Sequence, residues 1–166
     1  WGDNIAYTTE SGDLYCNDKH LNPKEIAPTN KGEKPKMYTD GTNVAFEIPI
    51  EKGSSITNVY YNNKNMGQGQ FVAVANGHIA FLRRGPKKDK NIYDNMIDFH
   101  VIYDGQNLGS TGLKKPQTIL LDNDHIAFIK KTNEDYHIIY DGQDLGTGEF
   151  STTAGVLSLN KVILKD

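Results

Sequence analysis

Apolar residues along this chain fall in short runs of three to five, and each run is closed by Gly, Asn or Asp. One run recurs as Ile5-Ala6-Tyr7, Val44-Ala45-Phe46, Ile79-Ala80-Phe81 and Ile126-Ala127-Phe128, with Val162-Ile163-Leu164 as a weaker copy. The copies are spaced 39, 35, 47 and 36 residues apart. Each is preceded by a turn-forming stretch: Trp1-Gly2-Asp3-Asn4, Thr39-Asp40-Gly41-Thr42-Asn43, Ala75-Asn76-Gly77-His78 and Asp122-Asn123-Asp124-His125. Gly, Asn and Asp tolerate positive φ, so these stretches predict tight hairpin turns. Before each turn stands another apolar run ("KMY", "FVAVA", "TILL", "GVLSL"). After each IAF-type run come a polar connection and a third run, "DLYCND", "NVYYNN", "HVIYDG" and "HIIYDG". Helical i, i+3, i+4 patterning is missing. Each unit therefore reads strand, tight turn, strand, loop, strand, tight turn, short strand.

Four antiparallel strands in about 40 residues match the size of a propeller blade. A lone sheet of this kind would leave both faces in water, which is why the unit must repeat. The chain reads as a single β-propeller-like repeat domain over 1–166, with units at 1–34, 35–70, 71–115, 116–150 and a partial 151–166. The long 47-residue interval has a local cause. His78 and His100 are 22 residues apart, while His125 and His137 are 12 apart, so ten extra residues lie in the loop around "GPKKDKNIYDNMID".

The stretches "YTDGTNVAF", "VANGHIAF", "LDNDHIAF", "VIYDG" and "IIYDG" resemble the WD40-like β-propeller repeats of the TolB type. In that family an Asp-Gly turn leads into an Ile-Ala-Phe strand and then an Ile-Tyr strand ending in Asp. This chain lacks the Ser-Pro that precedes the family's turns. The resemblance implies an all-β array of about four blades, either a ring closed by its end strand or part of a larger propeller. It also implies a binding scaffold, and it favours a periplasmic or extracellular setting. Fold alone does not imply catalysis.

Composition adds limits. Hydrophobic content is 37%, low for one thick core, and sixteen Gly with nine Tyr suit a turn-rich β protein. The net charge of −3 gives no overall field to draw nucleic acid. No apolar run approaches the roughly 18 residues of a membrane helix. The single Cys16 excludes an internal disulfide, and CxxC spacing is missing. The chain opens on Trp1 rather than Met, which reads as a processed or trimmed piece.

The near-identical "HVIYDGQNLG" and "HIIYDGQDLG" place paired carboxylates at Asp104 and Asp141. Turn chemistry accounts for both, since Asp bonds its own turn backbone and Gly takes positive φ. His78, His125, His100 and His137 sit at matched repeat positions without HxH, HExxH or Cys companions, which argues against a metal site. P-loop, GxGxxG, GxSxG and EF-hand patterns are missing, and no cofactor is expected. The sharper candidate is basic. Arg83, Arg84, Lys87, Lys88 and Lys90, with Tyr93, fall at the long insertion, and Lys130 and Lys131 occupy the matching place one unit later. An inserted loop on a rigid scaffold is a common home for binding residues. These eight residues form the expected ligand face, seeking a protein, glycan or other anionic partner. The alternatives are a glycan-active hydrolase using loop carboxylates and a structural segment of a longer propeller.

Overall fold

The computed structural model describes residues 6–9, 14–16, 19–20, 35–51, 56–85, 98–113, 117, 119–133, 135–153 and 156–164. The described residues form strands and turns without a helix, and every strand pairing is antiparallel. Strands β1 (Ala6–Thr8), β2 (Leu14–Cys16) and β3 (Lys19–His20) make a three-stranded sheet. Seven strands follow in simple chain order: β4 (Lys36–Thr39), β5 (Val44–Pro49), β6 (Thr57–Tyr61), β7 (Lys64–Ala75), β8 (His78–Arg84), β9 (Phe99–Tyr103) and β10 (Gln106–Ser110). A five-stranded sheet comprises β11 (Leu120–Asp122), β12 (His125–Thr132), β13 (Asp135–Tyr140), β14 (Gln143–Thr153) and β15 (Val156–Leu164).

The seven-stranded sheet is two four-stranded meanders that share β7. Its first half, through Gly69, pairs with β6; its second half, from Gln70, pairs with β8. Between them the register shifts, and Phe71 takes a φ of 57°. A Phe in the left-handed region is strained, and the strain lies at the corner where one meander hands the chain to the next. Counting β1–β3 as the first meander, β4–β6 with early β7 form the second. Late β7 with β8–β10 form the third, and β11–β13 with early β14 form the fourth.

The meanders stack face to face. Ala45 and Val59 of the second meet Val72, Ile79, Phe81 and Ile102 of the third. On its other side the third meander sets Ala80, Leu82, Phe99 and Val101 against Ile119, Ile126, Phe128 and Ile139 of the fourth. Side chains alternate along a strand, so the run Ile79-Ala80-Phe81-Leu82 feeds two cores at once. Each such aliphatic or aromatic side chain taken from water contributes roughly 1.5–3 kcal/mol. The run Ile79-Ala80-Phe81-Leu82 is thus a continuous apolar segment because both of its faces are covered. Val162-Ile163-Leu164 behaves differently from the sequence expectation. It belongs to one unbroken strand, β15, which pairs with β14 from Thr153–Val156 to Gly146–Leu164 and widens the fourth sheet. Asn160-Lys161 offers one residue tolerant of positive φ where a two-residue hairpin turn favours two.

Between the third and fourth meanders the chain buries Thr111, Leu113, Gln117 and Ile119. The Thr111 amide donates to the Phe99 carbonyl and the Thr111 carbonyl accepts from Lys131 N–H, both at 2.7 Å. Next to it Gly112 has a φ of 65°, and any Cβ there would run into the Lys131 carbonyl. Gly142 has a similar φ of 81° but open space around it. The two glycines separate backbone strain from collision. Gly142→Ala should cost about 1–2 kcal/mol, the left-handed penalty alone. Gly112→Ala should cost at least twice as much, because overpacking adds to the strain. Urea unfolding of both variants checks this; equal losses would show that the linker can move aside.

Candidate functional site

The two ends of the strands have different chemistry. At one end lie the two-residue hairpin turns. Asn62-Asn63, Asn76-Gly77, Asp104-Gly105 and Asp141-Gly142 all have positive φ at both positions, the geometry that matches the twist of antiparallel strands. Three of these turns carry the same clamp. Asn62 accepts from Val44 N–H at 3.0 Å, Asp104 from Ile79 N–H at 2.9 Å and Asp141 from Ile126 N–H at 2.9 Å. Each turn residue's own N–H returns to the carbonyl of the same strand residue at 2.9 Å. The second oxygen or amide of the clamp meets the residue just before the clamped one. Asn62 donates to Asn43 at 2.7 Å, Asp104 lies 2.5 Å from His78 Nδ1, and Asp141 lies 2.6 Å from His125 Nδ1. His78 and His125 also stack on Tyr103 and Tyr140.

The tips also bind neighbouring meanders together. Gly77 N–H donates to Asp40 at 2.8 Å, Asn76 donates to Asn123 at 2.6 Å, and His78 Nε2 lies 3.2 Å from Asp124. The hydrogen bond to Asp104 is the main cause that raises the His78 pKa above its ordinary 6.5; desolvation opposes it, and the Asp104 and Asp124 charges add to the rise. His125 is raised chiefly by its bond to Asp141. Asp141 is lowered by the Ile126 N–H and by His125. Desolvation pushes Asp40 up, but N–H donors from Gly77, Asn43 and Thr42, with the Asn43 amide, outweigh it and hold Asp40 at about 2. Burial and the charges of Asp40 and Asp104 push the Tyr61 phenol up to about 12. The turn aspartates are thus committed to backbone donors.

The opposite end holds the basic candidates. Arg83 and Lys130 occupy equivalent positions, paired across the ladder with His100 and His137. The Arg83 guanidinium is half-buried. It donates to the Met66 carbonyl at 2.9 Å and the Gln68 carbonyl at 3.4 Å, and it lies over Phe81. Arg83 and Arg84 line a cleft of about 280 Å³ with Gln68 and Gln70, floored by Ile56 and Leu82. Lys131 lies over the Tyr136 ring at 5.4 Å, and Lys130 is exposed. Lys87, Lys88, Lys90 and Tyr93 lie outside the described residues. Sequence reasoning missed Gln68 and Gln70, because nothing in a Gly-Gln-Gly-Gln run marks a cleft until the β7 corner is known.

Just beyond the hairpin turns Asn62-Asn63, Asp104-Gly105 and Asp141-Gly142 the strands share a repeated bulge. Asn65, Asn107 and Asp144 accept from the N–H of Gly67, Gly109 and Gly146 two residues on, at 2.7, 2.9 and 2.9 Å. His100 and His137 contact Asn107 and Asp144 from the neighbouring strand. The signal was present in the sequence as "NMG", "NLG" and "DLG". Among the described residues no group of three or more His, Cys, Asp or Glu side chains is placed to hold a metal ion. No helix among them is long and apolar enough to cross a membrane.

Comparison of the chain with protein-family models, curated proteins and solved structures finds no match.

The clamps make stability depend on pH in a defined sense. His78 and His125 bind protons more tightly when folded, so their contribution is complete below the ordinary 6.5 and is lost as pH rises through the raised value. Asp40 and Asp141 act oppositely, contributing fully above the ordinary 3.8 and losing that contribution as pH falls, for Asp40 towards about 2. The Asn43–Asn62 pair shows that the clamp can be built from neutral groups. Converting both His–Asp clamps to that form (His78→Asn, Asp104→Asn, His125→Asn, Asp141→Asn) should flatten the fall in Tm between about pH 6 and pH 9. An unchanged slope would assign the pH dependence elsewhere.

Proposed function

We propose that this chain is a binding or interaction module on a β-propeller-like scaffold of the WD40-like, TolB-type repeat class. The face-to-face stacking of four-stranded meanders supports the propeller-like reading, because it is how such blades bury both of their surfaces. The ligand is anionic: an acidic or sulfated glycan, or an acidic protein segment. The observation that carries this is the Arg83–Arg84 cleft. Two backbone carbonyls orient the Arg83 guanidinium without neutralising it. Gln68 and Gln70 add neutral hydrogen-bonding groups beside it, and Ile56 and Leu82 supply an apolar floor. Fixed polar groups over an apolar base are the usual make-up of a ligand site. Lys130 stands at the equivalent place one repeat on, so cationic side chains recur at this end on a chain of net charge −3.

The hydrolase alternative needs two carboxylates facing one another across a sugar-sized gap. Asp40, Asp104 and Asp141 are taken up by backbone donors at the far end of the strands, so the turns explain them without catalysis.

Titration with a fluorescent heparin oligosaccharide, at low and moderate salt, tests the reading. Binding should weaken steeply with salt, and Arg84→Glu combined with Lys130→Glu should weaken it about tenfold or more, a change of about 1.4 kcal/mol. Wild-type and variant melts should coincide to within a few degrees, since both side chains lie at the strand ends. Equal affinity in the folded variant would overturn the assignment of this end as the ligand face.

A further inference from the structure

A guanidinium presents five N–H donors on a rigid planar fork. In Arg83 two of them are taken by β7: Nη2 donates to the Met66 carbonyl at 2.9 Å and Nε to the Gln68 carbonyl at 3.4 Å. Nε and Nη2 share one side of the fork, and carbonyls two residues apart on one strand fill that side. Gly67 stands between those carbonyls, and a Cβ there would lie 3.2 Å from Nη2. The glycine is therefore what lets the fork approach the strand. Phe81 lies under the guanidinium, with its ring centroid 5.7 Å away. Carbonyls, glycine and ring together fix the plane and direction of the group.

The end of the fork, Nη1 with the second hydrogen of Nη2, has no acceptor among the described residues, and none of their carboxylates lies within ion-pair distance of Arg83. Arg83 lines the cleft of about 280 Å³ beside Arg84. Small-molecule pockets start at roughly 300 Å³, so the cleft has room for one unit of a chain molecule and not for a stretch of it. Gln68 and Gln70 also line it. Their side-chain amides make no hydrogen bond among the described residues, and an amide both donates and accepts.

We infer that the cleft takes one sugar-acid unit of an acidic glycan, its carboxylate held end-on by the Arg83 fork; this rests on the reading of the cleft as an anion site. A carboxylate places both of its oxygens in the plane of the fork, the bidentate pairing that arginine makes and lysine does not. A sulfate brings a third oxygen out of that plane, over Ile56 and Leu82, where an unpaired polar atom is costly. An aspartate or glutamate side chain offers the same carboxylate with only methylenes behind it, and leaves the two amides unused. A uronate carries hydroxyls next to its carboxylate, and each hydroxyl donates and accepts as the amides do.

Fluorescence anisotropy with three labelled probes of matched charge tests this at one fixed, moderate salt concentration. The probes are an oligogalacturonide, a dextran sulfate fragment and an oligoglutamate. Wild type should bind the oligogalacturonide about tenfold more tightly than either of the others. Arg83→Lys keeps the charge and loses the fork, so it should erase that preference and leave the dextran sulfate affinity within about twofold. Thermal melts check that the variant folds, and the wild-type ranking does not depend on it. Equal wild-type affinity for galacturonide and sulfate overturns the inference and leaves the anionic ligand face standing, as does an equal loss for all three probes in a folded Arg83→Lys. Oligoglutamate binding as tightly as the oligogalacturonide overturns the sugar assignment in favour of an acidic protein segment. Failure of all three probes to bind overturns the anion-site reading and the inference with it.

Discussion

A strand that is apolar on both faces cannot end a structure; something must lie on each side of it. β8 imposes this condition here. Ile79 and Phe81 leave one face of the third meander and Ala80 and Leu82 the other, and all four are buried. A single four-stranded meander could bury one of these sets at most. The layers therefore exist in pairs or not at all, and the chain must travel from one to the next within a few residues. It does so by letting one strand serve two sheets. β7 finishes the second meander and begins the third. The cost of that economy is local: a register shift and a phenylalanine in the left-handed region.

The hairpin tips hold this stack in register. A one-residue slip in any strand would turn its core side chains outward, so each third strand is anchored to its second strand by an Asn or Asp at the turn. The same residues that fix register within a layer also tie adjacent layers, through Asp40 to Gly77 and His78 to Asp124. Two of the three clamps use a charged pair and one a neutral pair in the same geometry; nothing in the structure explains why the second meander differs. The exposed His–Asp pairs are electrostatically weak in water. Their backbone hydrogen bonds, made in either version, carry the positional information.

The strand and turn pattern was legible in the sequence because it depends on local chemistry. IAF-type runs, Asn-Gly and Asp-Gly turns and the third-strand "IIY" motif each appear where the antiparallel strands lie. The structural use of Asp104 and Asp141 was legible for the same reason. Two things were not. The β7 corner was hidden because the sequence units divide at 70/71, whereas one strand, Lys64–Ala75, runs across that boundary. The Arg83 contacts to Met66 and Gln68 depend on that corner, and so does the cleft beside Arg84. The histidines were the second. His78 and His125, placed by the sequence only at matched repeat positions, bond turn aspartates 26 and 16 residues away. Only the hairpin register makes those partners neighbours.

The corners explain the core's least expected residue. At the position where the third and fourth meanders have Leu82 and Ile129, the second has Glu47, which is almost fully buried. An uncompensated carboxylate there would be costly. Glu47 accepts from the Tyr38 hydroxyl at 2.8 Å and from Val72 N–H at 3.1 Å, with the Lys36 ammonium 3.7 Å away. Val72 is the residue after the strained Phe71, where the β7 ladder shifts register. A backbone donor turned aside by the corner needs an acceptor, and the adjacent layer supplies one. The next junction solves the same problem with a neutral group. Buried Gln117 accepts from Ile129 N–H at 2.8 Å and donates to its carbonyl at 2.6 Å, a side-chain amide standing in for a missing strand residue. Polar residues in this core therefore mark the places where the chain changes layer, and they follow from the same demand that both faces of each sheet be covered.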